Sequence, residues 1–460
     1  MNTRLWPTAS VCIFGAFIFG ACDDSEADRD HSEATVFELR IENVAPWNLL
    51  KSGAQSIKVS GASGSAAPGE AYEIRFSAGV GQSVSFATML AQSNDWFFAP
   101  VASGIPLYDA KNNPISGDVT RFVTVWNAGT EYDQEPGVGD SIGTKQPAPG
   151  VGAADPNTSV REVPIEIRLS NGATFVRPPT TDMIRVTLTP EANRTFRLRI
   201  ANVSDQNTLV TSQGTMAIAL MPLEWALHIE PAPLFNPSTG VGVRGLEQLA
   251  EDGNPAGLNN TLATTTGIST PISPGVFVLH TVNGPLFLPG DADRGIGLEA
   301  LAEDGDHTAL VRTLTGEPIE AFGSFDIPDG STNVGLASRG QAYVITFDAF
   351  EDDRLSFATS FGMSNDWFFG TRPEGIRLFL DDEDDEPITA DVTDLVALYD
   401  LGTELDQELA VGADTGTQQL APNVGAIDPD RAIREIDAAV YPQPVSSHLR
   451  VTVTHLVTFD

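Results

Sequence analysis

Phe37-Glu38-Leu39-Arg40-Ile41-Glu42-Asn43-Val44 alternates apolar and charged residues with a period of two. On an extended chain this puts Phe37, Leu39 and Ile41 on one face and the charges on the other, the pattern of a half-buried antiparallel strand. The same pattern returns as Phe196-Arg197-Leu198-Arg199-Ile200-Ala201-Asn202-Val203. Tyr72, Ile74 and Phe76 alternate with Glu73 and Arg75, and Ile184, Val186 and Leu188 with Arg185 and Thr187. The 42 glycines and 31 prolines are spread along the chain and supply frequent turns. Short alternating strands punctuated in this way indicate a mainly β protein built as antiparallel β-sandwich.

Working outward, the recurrence extends well beyond this strand. Ser93-Asn94-Asp95-Trp96-Phe97-Phe98 returns as Ser364-Asn365-Asp366-Trp367-Phe368-Phe369. Trp126-Asn127-Ala128-Gly129-Thr130-Glu131 returns as Tyr399-Asp400-Leu401-Gly402-Thr403-Glu404, and Arg161-Glu162-Val163 as Arg434-Glu435-Ile436. An internal repeat of this length means two related domains. Read collinearly, the first covers residues 35–190 and the second residues 195–460. The second then carries a long insertion between its first strand and Ser356-Phe357-Ala358-Thr359. That insertion is itself duplicated, because Trp225-Ala226-Leu227-His228 through Gly253 resembles Phe277-Val278-Leu279-His280 through Gly305. The reading therefore gives the first domain as trimmed and the second as holding a duplicated helical module over residues 222–314. Gly245–Gly253 and Gly297–Gly305 read as short helices, with Leu298 and Leu301 on one face and Gly305 at the left-handed C-terminal position. Leu310 and Leu314 indicate a further short helix. These segments are expected to pack over one end of the sandwich.

The chain has 460 residues, 62 Asp and Glu against 26 Lys and Arg, and a formal charge of −36. Mean hydropathy is −0.06. This length and hydropathy suit two or three globular domains. The charge excludes nucleic acid as a partner, since phosphate binding needs a basic face. It also excludes an electrostatic grip on anionic lipid. It suits solubility or divalent cations.

The two cysteines, Cys12 and Cys22, both lie near the N-terminus, so the rest of the chain has no disulfide and no cysteine-based zinc site. Arg4 precedes an apolar stretch from Val11 to Phe19, too short to span a bilayer and suited to an export signal. It ends in Phe19-Gly20-Ala21-Cys22, followed by Asp23-Asp24, which resembles a bacterial lipoprotein cleavage box in which the cysteine carries the lipid. On this reading residues 1–22 are the signal peptide, Cys22 is lipidated, and residues 23–34 form an acidic tether. The chain would then be exported and lipid-anchored in the cell envelope. The alternative is a plain signal peptide cut near Ala21 and a secreted product.

Two acidic loops repeat in register. Asp95 precedes Trp-Phe-Phe, and Asn127 and Glu131 flank a Gly-Thr turn. Asp366, Asp400 and Glu404 hold the same places in the second copy. Calcium is a hard cation that takes six to eight oxygens, which two loops at one end of a sandwich can supply. A capping Asp and a solvated Glu are the plainer reading of either loop alone; repetition beside the same aromatics favours metal. Asp133, Glu135, Asp118, Asp406, Glu408 and Asp391 stand nearby as further ligands or surface charge.

These blocks, with Ser116-Gly117-Asp118-Val119-Thr120 and Glu135-Pro136-Gly137-Val138-Gly139, resemble the spondin N-terminal domain family as it occurs in bacterial exported proteins. The Trp-Ala-Leu-His and Gly-Leu-Glu-x-Leu-Ala-Glu-Asp-Gly segments fit the same pattern. The resemblance implies a C2-like antiparallel sandwich with a calcium site. Its ligands would be Asp95, Asn127 and Glu131 in one domain and Asp366, Asp400 and Glu404 in the other. Asn127 stands where the family has Asp, which implies a weaker first site. Glu131 and Glu404 are longer than the family's Asp.

Other motifs point less far. Gly139-Asp140-Ser141-Ile142-Gly143 fits a hydrolase elbow, but it sits in a Pro- and Gly-rich run. Gly240-Val241-Gly242-Val243-Arg244-Gly245 fits a dinucleotide fingerprint without the required βαβ unit. Asp291, Asp293 and Gly295 hint at a calcium loop with the wrong spacing. Asp381–Glu386 reads as an acidic hairpin tip, and His228 and His280 as structural. The expectation is a non-enzymatic calcium-binding envelope lipoprotein that binds an envelope or extracellular-matrix component. A metal- or serine-dependent hydrolase and a structural spacer are the alternatives.

Overall fold

The computed structural model describes residues 34–143, 145–147, 150–241, 244–315, 319–380 and 386–458. The signal peptide, Cys12, Cys22, nearly all of the tether and Asp381–Asp385 lie outside these residues. The chain is mainly β, with 37% strand and 10% helix, and its sheets are antiparallel.

Strand pairing sorts the chain into two sets of sheets. In the first, a four-stranded sheet runs Ala71–Ser77, Thr195–Asn202, Ile184–Pro190, Gly117–Asp118. A larger sheet runs Lys51–Gln55, Leu220–His228, Ser83–Leu90, Trp96–Pro100, Val123–Asn127, Arg161–Glu162. Tyr72, Val186 and Ile200 of one and Phe86, Phe98 and Val125 of the other share a core. In the second set, Ala342–Ala349, Thr35–Asn43, Leu449–Thr458 and Ala390–Asp391 make the smaller sheet. Ala321–Phe325, Ile272–His280, Arg354–Phe361, Trp367–Thr371, Val396–Asp400 and Arg434–Glu435 make the larger. Phe37, Leu39, Ile41 and Tyr343 meet Phe357 and Phe369 between them. The alternation of Phe37, Leu39 and Ile41 thus faces a core as expected.

The larger sheets are apolar on both faces. Phe357 and Phe369 point to the core, whereas Ala358 and Phe368 point outward. A sheet buried on both sides needs a cover on its outer face. Helices Leu298–Asp304 and Thr308–Leu314 provide it through Leu298, Leu301, Leu310 and Leu314. Helices Leu246–Asp252 and Ala256–Ala263 do the same over Ala87, Phe97 and Trp126. They cover the sheet face, where the sequence reading placed them at one end of the sandwich. Gly253 and Gly305 end their helices at φ 64° and 68°, as expected of C-terminal glycines.

The collinear division at residues 190/195 needs correction. Trp225 pairs with Phe86, and Phe277 with Phe357, so each set of sheets owns one helical module. The first is not trimmed, and the second does not hold both modules. The opening strands are also distributed unexpectedly. Thr35–Asn43 lies between Ala342–Ala349 and Leu449–Thr458 of the second set. Thr195–Asn202 lies between Ala71–Ser77 and Ile184–Pro190 of the first. The first set is therefore a continuous stretch from Lys51 to Ala263, nested between the first strand of the second set and its remainder from Ile272. The reason is local. Ile184–Pro190 and Thr195–Asn202 form a hairpin, whose closure costs little entropy. This hairpin places Thr195–Asn202 in the first set, and Thr35–Asn43 fills the equivalent slot in the second. Between the sets, Gln82 Nε2 donates to Ala410 O at 2.6 Å, and Arg194 Nη1 to Val411 O at 2.7 Å.

Candidate cation site

The two acidic loops meet because their strands pair. Trp367 stands opposite Asp400 in register, and Trp96 opposite Asn127. Asp366, one residue before its strand, therefore faces the turn that follows Asp400. Its Oδ2 accepts Thr403 N at 2.9 Å, Thr403 Oγ1 at 3.2 Å and Glu404 N at 3.0 Å. Asp95 Oδ2 accepts the same three donors from Thr130 and Glu131 at 3.1, 3.4 and 3.2 Å. Ser364 Oγ accepts Trp367 N at 2.9 Å and holds the Ser-Asn-Asp turn. Gly402 has φ 73°, and a Cβ there would lie 2.8 Å from Asp430 O, so the turn requires glycine.

Half of each key carboxylate remains unused. Asp366 Oδ1, Glu404 Oε2 and Asn365 Oδ1 are buried with no hydrogen-bond partner, as are Asp95 Oδ1 and Glu131 Oε2. The other Glu oxygens accept Gly425 N at 2.8 Å and Gly152 N at 2.7 Å. A residue missed by sequence reasoning joins this region. Glu303, on helix Leu298–Asp304, is 1% exposed and no well-formed hydrogen bond reaches its oxygens. Glu251 holds the same helix position in the first set and is 2% exposed. The repeated Leu-Ala-Glu-Asp-Gly was the available signal. It was read for its helix and cap, because nothing local shows which way the Glu faces.

Electrostatics set the two loops apart from ordinary surface acids. Burial pushes Asp366 up to about 6, Asp400 to about 7 and Glu303 to about 8. Burial raises Glu404, Glu131 and Asp133, and pushes Asp95 well above the usual range. Cations reach only one side. Arg434 Nη2 lies 2.5 Å from both Asp400 Oδ2 and Asp428 Oδ2. Asp400 Oδ1 accepts Gly402 N at 2.7 Å. Arg161 pairs with Asp155 and comes within 3.8 Å of Asp133. Sequence reasoning saw these arginines repeat but assigned them no role.

Asn127 is occupied at both ends. Its Oδ1 accepts Gly129 N at 2.6 Å and its Nδ2 donates to Asp133 Oδ1 at 2.8 Å. Asp133 and Asp406 accept the indole N–H of Trp96 and Trp367 at 2.5 and 2.8 Å. Among the described residues, no three His, Cys, Asp or Glu side chains stand in a ready-formed metal-holding group. The turn donors engage one oxygen of Asp366, whereas both Asp400 oxygens are engaged, one by Gly402 N and the other by the Arg434 guanidinium.

Ser141 lies among turns, with its amide donating to Gln134 Oε1 at 3.0 Å, and among the described residues no strand or helix frames it as a hydrolase elbow requires. Asp293 caps Gly295 N at 3.0 Å. His228 and His280 are fully buried, each bonded to a serine, Ser85 at 2.9 Å and Ser356 at 2.8 Å. Among known proteins, no family model and no curated sequence matches the chain.

Proposed function

We propose that this chain is a non-enzymatic calcium-binding β-sandwich protein of the cell envelope, with its stronger site at Asp366, Asp400 and Glu404. One observation carries the reading. Asp366 Oδ1 and Glu404 Oε2 are buried without a donor, on two loops that Glu404 N joins to Asp366 Oδ2 at 3.0 Å. An ionised carboxylate in such a place costs several kcal/mol unless a cation compensates it. The donors are oxygens only, which suits calcium over zinc or copper. When bound, calcium would supply positive charge and cross-link the loop before Trp367 to the turn after Asp400. The first set would bind more weakly, since Asn127 offers neither a charge nor a free oxygen.

The repeated Ser-Asn-Asp-Trp block and its resemblance to spondin N-terminal domains support a recognition role for the loops. The partner would be an envelope or extracellular-matrix component. The signal and Cys22 read in the sequence would place the protein on a membrane through lipid alone. No helix among the described residues is long and apolar enough to cross a membrane.

The test is a melting curve with calcium and with chelator. At calcium near a hundred times Kd, stabilisation should reach about 2.7 kcal/mol. Asp366→Ala should abolish most of it. Identical curves with calcium and chelator would overturn the proposal.

A further inference from the structure

The acidic loops are two of three elements that converge. The third is helix Leu298–Asp304. Its apolar side chains, Leu298, Leu301 and Ala302, rest on the outer sheet face with Ala358, Phe368 and Tyr399. Packing of this kind needs no carboxylate. Yet the next residue, Glu303, is 1% exposed, and no well-formed hydrogen bond reaches its oxygens, the Thr403 hydroxyl being the neighbouring donor. Its charged neighbours include Asp366 and Glu404, the two residues whose unused oxygens define the site. The loop after the acidic turn ties these parts together. Gly416 N donates to Ser364 O at 2.8 Å, and Gln419 Nε2 donates to Glu303 O at 3.0 Å. The same loop thus holds the Ser-Asn-Asp turn and the end of the helix.

We propose that Glu303 is a further calcium ligand of the second set, so that the cation clamps helices Leu298–Asp304 and Thr308–Leu314 onto the sheet. The inference rests on the calcium reading above and extends it from a loop site to a switchable layer. Without the cation, burial and one another's charge disfavour ionising Asp366, Glu404 and Glu303, which a cation would favour. With it, strand-end loop, turn and helix share one ion. The helical module then has a function beyond covering the sheet: its attachment reports calcium.

The experiment uses the full chain, stripped with chelator and titrated with calcium chloride. Calcium affinity is read by calorimetry, and amide hydrogen exchange is followed over residues 298–314. Calcium should slow exchange across that segment in the wild type. Glu303→Gln keeps the shape of the side chain and removes its charge. It should weaken binding at the second site by roughly tenfold and abolish the calcium-dependent protection, while Glu351→Gln on an exposed turn changes neither. Glu303→Asp, which keeps the charge but shortens the reach, should fall between. Wild-type affinity and protection in Glu303→Gln would overturn this inference and leave the calcium reading standing. Absence of calcium uptake by the wild type would overturn both.

Discussion

Ile41 stands in register with Tyr343, and Ile200, its counterpart in the repeat, stands in register with Tyr72. The two isoleucines are fully buried in separate cores. Each opening strand thus completes the smaller sheet of the set that its position in a simple tandem would not give it. Ile41→Ala should therefore destabilise the second set by about 3 kcal/mol. Hydrogen exchange should rise in Ala342–Ala349 and Leu449–Thr458 while Ala71–Ser77 stays protected. Ile200→Ala should give the reverse. Loosening of Ala71–Ser77 by Ile41→Ala would contradict the nested arrangement.

Asn127→Asp tests the difference between the two acidic sites. Asn127 donates to Asp133 at 2.8 Å, and the substitution replaces that bond with repulsion. In chelator the variant should be less stable than the wild type by on the order of 1–2 kcal/mol. Calcium should restore the loss and raise the affinity of the first set. A variant that calcium does not rescue would show that the first set has no cation site to improve.

Glu224 offers a pH test away from the acidic loops. It is fully buried, and burial, only partly offset by the Gly53 amide, pushes it up to about 8 from an ordinary 4.5. The folded state holds this proton more tightly than the unfolded chain. Stability is therefore intact below about pH 4.5, falls as pH rises toward 8, and is level above. Each unit between the two values corresponds to about 1.4 kcal/mol. The second set has Val276 at the equivalent position, in the apolar layer beneath its helices. Glu224→Val should raise the melting temperature at pH 8.5 and change it little at pH 4.

The buried histidines act in the opposite direction. Burial pulls His228 and His448 down to about 4 from 6.5, and His280 also falls. The unfolded chain takes up these protons first, so their contribution is complete above about pH 6.5 and is lost as pH falls toward 4. Ser356→Ala leaves His280 Nε2 without its 2.8 Å partner and should cost about 1–2 kcal/mol at pH 7. A denaturant melt at pH 7 checks the serine, and ring titration in the folded chain checks the histidines: midpoints for His228 and His448 at an ordinary 6.5 would refute the assignment of neutral rings.

The sequence by itself determined the mainly β class, the repeat, the capping glycine Gly305, and the two repeated acidic loops that carry Asp95, Glu131, Asp366, Asp400 and Glu404. Those are local properties: a period of two, a left-handed position, a carboxylate beside a turn. It did not determine which sheets receive Thr35–Asn43 and Leu220–His228, because equivalent strands with one pattern fit equivalent slots. Nor did it determine that Arg434 sits on Asp400, that Asn127 is engaged at both ends, or that Glu303 turns toward Asp366. Strand pairing sets Arg434 beside Asp400, the turn geometry engages Asn127, and the packing of a helix on a doubly buried sheet makes Glu303 a neighbour of Asp366. The physical reason is that periodicity selects a face for a side chain, whereas the neighbour across that face is chosen by the tertiary fold.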